Sequence, residues 1–196
     1  MRNQITPRDI VVVELGFVIL AFLLTLFLRD GDLSSPFARG LPIALQVPFG
    51  IAAGLAVATL FAVFLLRSTS IKAGVAHLDS LTSYSYPALL VIGVCAGIGE
   101  EILFRGTIQE LIGIWLTSLL FTLAHAQFWA LPPMTRGKLL FAASAFLAGV
   151  FLGLIYIAVG LVAAILVHAC IDIVGLVTLK ESKRQNVEFR SANLGP

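Results

Sequence analysis

Stretches of about twenty apolar residues recur along almost the whole chain, and that recurrence leaves few folds open. A stretch of this length matches the ~30 Å hydrocarbon core of a bilayer as an α-helix. Lipid offers no partner to a backbone N–H or C=O, so a spanning segment of this kind must be helical. Six such segments can be marked, at roughly 9–29, 42–67, 87–111, 113–130, 137–159 and 161–180. Pro42 opens the second and Arg67 closes it, and the fourth ends before Pro132-Pro133. A short polar, partly amphipathic connector covers 68–85. The composition is 59% hydrophobic and 12% charged, with mean hydropathy +0.99, whereas soluble domains carry about 25% charged residues. The expectation is an all-α, polytopic membrane protein with about six transmembrane helices. It forms a single membrane domain over 1–196: two N-terminal helices in 9–67, four more in 87–180, and a polar, frayed tail at 181–196. No repeat or low-complexity segment interrupts it.

Basic residues set the expected topology. Arg2 and Arg8 precede the first apolar run, which is too long for a signal-peptide core and lacks a small-x-small cleavage site. It reads as a retained helix. No Cys-a-a-x sequence marks the chain for lipidation. With six crossings both termini share a side, and that side holds ten Lys or Arg: 2, 8, 67, 72, 136, 138, 180, 183, 184 and 190. Arg29, Arg39 and Arg105 make three on the other. The expectation is a cell-membrane, multi-pass protein with both termini cytoplasmic. Net charge is only +2 and no basic tract points to nucleic acid. Cys95 and Cys170 lie in apolar stretches outside any redox or zinc motif, and read as small helix residues.

Six ionisable residues stand inside the most apolar segments: Glu100, Glu101, Arg105, His125, His168 and Asp172. Each such group near a bilayer centre costs at least a few kcal/mol. Apolar residues would insert more easily, so chemistry is the natural reason to keep them. Their depths agree. With a turn near Ile112-Gly113, Glu100 lies 12 to 13 residues before it and His125 12 to 13 after it. At 1.5 Å rise per residue both then sit about 18 Å deep, near the midplane. A turn near Gly160 brings His168 and Asp172 to about 12 and 18 Å.

Each motif has a plain structural reading beside the functional one. Glu101 and Arg105 are four apart on one helix face and suit an internal ion pair. Adjacent Glu100 points about 100° away and is left to face a cavity, where a carboxylate can serve as a base. The alternative is an ion-pair network that only joins helices. His125, preceded by Phe121 and flanked by Ala124 and Ala126, could be a packing histidine, but its depth matches that of Glu100. His168 and Asp172, four apart, share a face. Asp172 could fix the imidazole's tautomer, the pair could donate to an oxyanion with Asp172 protonated, or the couple could simply glue helices. Other ionisable groups read blandly: His77 and Asp79 as solvated, Glu14 as snorkelling to the interface, Glu110 as a turn carboxylate. Gly93, Gly97, Gly149, Gly153 and Gly160 read as close-packing sites, and Trp115 and Trp129 as interfacial anchors.

Taken in order, Glu100-Glu101-x-x-x-Arg105, Phe121-x-x-x-His125 and His168-x-x-x-Asp172 resemble the three signatures of the CAAX-type intramembrane endopeptidases, also called the CPBP or Abi family. The context Glu-Glu-Ile-Leu-Phe-Arg-Gly is similar to that family's first motif, and the likeness covers about 87–175. The resemblance implies a polytopic α-helical hydrolase with a four-helix catalytic core that cleaves peptide bonds in or beside the membrane. Carried across, Glu100 would be the base that activates water, with His125 assisting. His168 and Asp172 would stabilise the oxyanion, and Glu101 and Arg105 would hold the helix. Relatives often have Asn at the position of Asp172. Metal use differs among descriptions of similar enzymes. The expectation here is no cofactor; were zinc used, Glu100, His125 and His168 would bind it. The expected substrate is a membrane-tethered peptide or protein. Other readings are a non-catalytic scaffold or bacteriocin-immunity protein, and a proton-coupled transporter.

Overall fold

The computed structural model describes residues 6–125 and 133–194, and all regular structure among them is helical. The elements are α1 (Pro7–Leu28), α2 (Ser35–Ala38), α3 (Ile43–Arg67), α4 (Thr69–Gly74), a 3-10 helix (Ala76–Ser83), α5 (Tyr86–Leu103), a π-helical turn (Phe104–Ile108), α6 (Gln109–Ala124), α7 (Arg136–Ala158) and α8 (Leu161–Leu194). Local chemistry explains the starts. Thr6 accepts from the Asp9 N–H while the Asp9 carboxylate accepts from the Thr6 N–H, a capping box followed by Pro7. Pro42 precedes α3 and Pro87 lies in the first turn of α5.

Five of the helical runs are long and apolar enough to cross a membrane, where the sequence reading has six. The difference lies in Tyr86–Ala124, a run of 39 residues. Gly113 inside it has φ 78° and ψ 171°, a conformation that glycine adopts without a Cβ penalty. Along an unbroken helix, Glu100 and His125 would stand about 37 Å apart. They are 3.8 Å apart, and the rings of Phe104 and Phe121 meet at 5.2 Å. The chain therefore folds back at Gly113, and its two legs are the third and fourth apolar segments. A second reversal, at Gly160 with φ 131°, joins α7 to α8. Gln46 of α3 completes it: its Oε1 accepts the Val162 N–H at 3.0 Å, and its Nε2 donates to Leu41 O at 2.7 Å.

Helix α8 is the hub. Leu161, Ala163, Ala164 and Val167 are fully buried on it. Glycines let its neighbours come close, as expected for Gly93 and Gly97, which sit on Ile173 and Ala169 of α8. Gly50 and Gly54 do the same for α3. Helix α1 packs on α5, with Phe17 edge-on to Phe104 and the Thr25 and Thr107 hydroxyls 3.2 Å apart. Helix α7 packs on α6, with Gly149 against Ser118 and Gly153 against Ile114. Large apolar side chains on α1 and α3 remain exposed, Phe27 and Leu60 among them, as a lipid-facing surface requires.

These contacts sort the charges. Lys180 donates to the carbonyls of Thr82 and Tyr84, and Gly137 abuts Ser70 and Gly74. Arg8, Arg67, Lys72, Arg136, Lys138 and Lys180 thus gather at one end of the bundle. Arg29, which donates to Gly106 O, and Arg39, paired with Glu110, lie at the other.

Three local expectations change. The polar tail is helical to Leu194, because no Gly or Pro interrupts 176–194 and Arg184 pairs with Glu181 and Glu188 at 3.1 and 3.5 Å. Thirty-four residues of helix make about 51 Å, so α8 must extend past a ~30 Å core. Helix α6 ends at Ala124 with His125 as its C-cap, short of residue 130; Ala126, Trp129 and Pro132 lie outside the described residues. The connector 68–85 is itself helical, and Leu81 packs on Leu89, Ile92 and Leu176. There Asp79 faces Lys183 at the surface, and the His77 side chain is not among those described. Trp115 is exposed on α6, as an anchor would be.

Candidate active site

The three motifs meet. Helix α5 and the π-turn supply Glu100, Glu101 and Arg105; the end of α6 supplies His125; and α8 supplies His168 and Asp172. Glu101 and Arg105 are completely buried, and Arg105 Nε donates to Glu101 Oε2 at 3.0 Å. This is the expected i, i+4 pair. The guanidinium also stacks over the Phe121 ring, with Cζ 5.1 Å from its centroid.

Glu101 has a second partner that spacing along one helix could not reveal. Its Oε1 accepts from His168 Nδ1 at 2.8 Å across 67 residues. A carboxylate held by Arg105 can only accept, so Nδ1 carries the proton and His168 Nε2 points outward. Asp172 Oδ2 faces that Nε2 at 3.6 Å, beyond hydrogen-bond length. The group that orients His168 is therefore Glu101, and Asp172 borders the atom left for other work.

His125 follows the same logic. Its Nδ1 lies 2.8 Å from Phe121 O, and a carbonyl accepts, so Nδ1–H donates. Nε2 then faces Glu100 Oε1 at 3.8 Å. The Phe121 ring stands beside both imidazoles, at 4.8 Å from His125 and 6.0 Å from His168. Two imidazoles, each with Nδ1–H tied down, thus turn Nε2 towards a carboxyl group.

Glu14 departs from its expected place at the interface. It is 7% exposed, and its Oε2 is buried without a hydrogen-bond partner among the described residues. It packs on α5 at Gly99, where a Cβ would overlap its Oε2 and approach its own Cβ and carbonyl O to 2.9 Å. Glu100, His168 and Asp172 lie within its electrostatic range. The available signal is an ionisable residue about 10 Å into an apolar helix. Glu110 also has partners: Arg39 and the Tyr156 hydroxyl, the latter at 2.9 Å.

Among the described residues, no group of three or more His, Cys, Asp or Glu is arranged to hold a metal ion. Nδ1 of each imidazole is already committed, to Phe121 O in His125 and to Glu101 in His168.

Residues 82–174, just under half of the chain, match the model of the family described as type II CAAX prenyl endopeptidase Rce1-like. No curated protein and no solved structure matches. The matched segment contains Glu100, Glu101, Arg105, His125, His168 and Asp172, and excludes Glu14. That segment, which carries the three motifs gathered around the Glu101–Arg105 pair, is similar to the CAAX-type intramembrane endopeptidase family.

Proposed function

We propose that this protein is a glutamate-type intramembrane endopeptidase that hydrolyses a peptide bond of a membrane-tethered peptide or protein. The observation that carries the reading is the facing pair of Glu100 Oε1 and His125 Nε2, 3.8 Å apart and held from opposite legs of the Gly113 reversal. Glu100 takes a proton from water, and His125 Nε2 accepts a hydrogen bond from the same water. The water oxygen bonds to the scissile carbonyl carbon, and charge moves to the carbonyl oxygen. His168, doubly protonated, and Asp172, when protonated, donate to that oxyanion. The C–N bond then breaks, and the amine takes the proton from Glu100. Atoms balance: one water yields a carboxylic acid and an amine. Glu101 and Arg105 hold His168 and the helix in position.

The mechanism needs no metal, and the protein would act without a cofactor. The basic end of the bundle would face the cytoplasm of a cell membrane, with both termini there.

Purified wild type and Glu100→Gln, offered fluorogenic membrane-tethered peptides with and without a chelator, test this. Cleavage by wild type alone, unchanged by chelator, is expected. Equal cleavage by both proteins would remove Glu100 from the mechanism, and loss of cleavage with chelator would restore a metal to it.

A further inference from the structure

Glu14 has no role in the mechanism above and no place in the family match, yet it is buried against the residue next to Glu100. Two observations mark a built site. Gly99 has no side chain where Glu14 comes in, and any Cβ there would meet the Glu14 carboxyl and backbone. In addition, Glu14 Oε2 and Glu100 Oε2 are both buried without hydrogen-bond partners among the described residues. Buried polar atoms are nearly always satisfied.

The surrounding charges narrow the possibilities. The ionisable groups within range of Glu14 are Glu100 on α5 and His168 and Asp172 on α8; beyond them, Glu101 pairs with Arg105 of the π-turn, and His125 at the end of α6 faces Glu100. Arg105, the guanidinium of this layer, is bound through Nε to Glu101. Neither Glu14 nor Glu100 has an arginine or lysine partner among the described residues, and His168, the imidazole within range of both, is tied through Nδ1 to Glu101. Two neighbouring carboxyls in a poorly solvated site do not both ionise; they titrate as a pair.

We propose that Glu14 is a positioning residue of the catalytic centre: its carboxyl, entering from α1 over Gly99, shares one proton with Glu100 and keeps the outer oxygen of Glu100 aimed at the water. This rests on the peptidase reading. The shared proton stays on the pair throughout the cycle, apart from the one that Glu100 takes from water and returns to the amine. A helix outside the matched segment thus completes the site.

The test uses the full chain as wild type, Glu14→Gln, Glu14→Leu and Glu100→Gln, with a thermal melt to show that each is folded. On a cleaved fluorogenic membrane-tethered peptide, Glu14→Leu should lower kcat about 10- to 100-fold with KM unchanged, the loss of one hydrogen bond to a charged group. Glu14→Gln, which still donates through its amide, should stay within about threefold of wild type. It should also lose the alkaline fall in kcat, because raising pH cannot strip its donor. A Glu14→Leu variant with wild-type kcat, or a Glu14→Gln variant with a wild-type pH profile, overturns the proposal. Infrared spectra of the resting proteins probe the shared proton without any turnover. The band of the shared proton should be lost in Glu14→Gln, with any Asp172 band left in place, and shift in Glu100→Gln. If Glu14→Gln leaves that band unchanged, Glu14 holds no shared proton. Wild type that cleaves no peptide rejects the peptidase reading, and the infrared result then decides on Glu14 alone.

Discussion

His168 Nδ1 donates to Glu101 Oε1 at 2.8 Å, while the opposite oxygen of the same carboxylate takes Arg105 Nε at 3.0 Å. One buried carboxylate thus joins helix α8 to the π-turn and sets the imidazole's tautomer. Removing its charge should harm two things at once, stability and orientation.

Glu101→Gln leaves Arg105 as a buried cation without its counter-charge. Breaking such a pair costs about 3–5 kcal/mol, so the thermal midpoint in detergent should fall sharply. The double variant Glu101→Gln/Arg105→Met should recover most of that stability but not cleavage, because His168 still lacks its carboxylate. A double variant as unstable as the single would mean that the pair does not carry the stability.

His125→Ala should lower kcat by about 10²- to 10⁴-fold, the range for a positioned acid–base group. Its thermal midpoint should move little, because His125 caps the end of α6 and is part-exposed. Steady-state kinetics beside a melt separates the two effects. Wild-type kcat in a folded His125→Ala protein would make this a packing histidine after all.

Gln46→Leu removes the amide that caps the start of α8 and holds Leu41 O. Gln46 is fully buried, so the Val162 N–H and the Leu41 carbonyl would lose their partner. Each unsatisfied group costs about 1–3 kcal/mol. The expected result is a lower melting temperature with unchanged kcat in the folded fraction. A change in kcat at full stability would instead tie the Gly160 reversal to catalysis.

Gly113→Ala tests the reversal between α5 and the second leg of α6. No atom lies within 4 Å of the added Cβ, so the cost is backbone strain alone. That strain is about 1–3 kcal/mol, because positive φ with ψ 171° is a region essentially confined to glycine. Thermal unfolding should show a modest loss in Gly113→Ala and a similar one in Gly113→Asn, because ψ 171° lies outside the left-handed well that Asn tolerates. Equal stability in all three proteins would contradict the observed conformation of Gly113.

Much of this is legible in the sequence because apolar length and helical spacing are local. The i, i+4 pair Glu101–Arg105, the turn at Gly113 and the common depth of Glu100 and His125 all follow from counting along the chain. The bond from His168 to Glu101 does not, since it spans 67 residues and depends on how α8 is rotated. Glu14 escapes counting for a similar reason. An apolar helix such as α1 has no polar face to show which side turns inward, so spacing cannot tell a lipid-facing acid from one buried on Gly99. The tail differs because polarity alone does not mean fraying; its i, i+4 charges support a helix outside lipid.

The π-helical turn Phe104–Ile108 separates two angular frames. There the Gln109 N–H reaches back five residues to Phe104 O, and Arg29 holds the Gly106 carbonyl at 2.7 Å. One residue more than an α-turn offsets everything downstream by about 100°. Upstream of it, Glu100 and Glu101 are phased towards the imidazoles. Downstream, Gln109 is phased to donate to Gly153 O at 3.1 Å, and Glu110 to meet Arg39 and Tyr156. Deleting a single residue within the turn would leave the acids in phase and swing the α7-facing groups out of theirs. The turn works as a phase shifter that lets one helix serve two partners at unrelated angles.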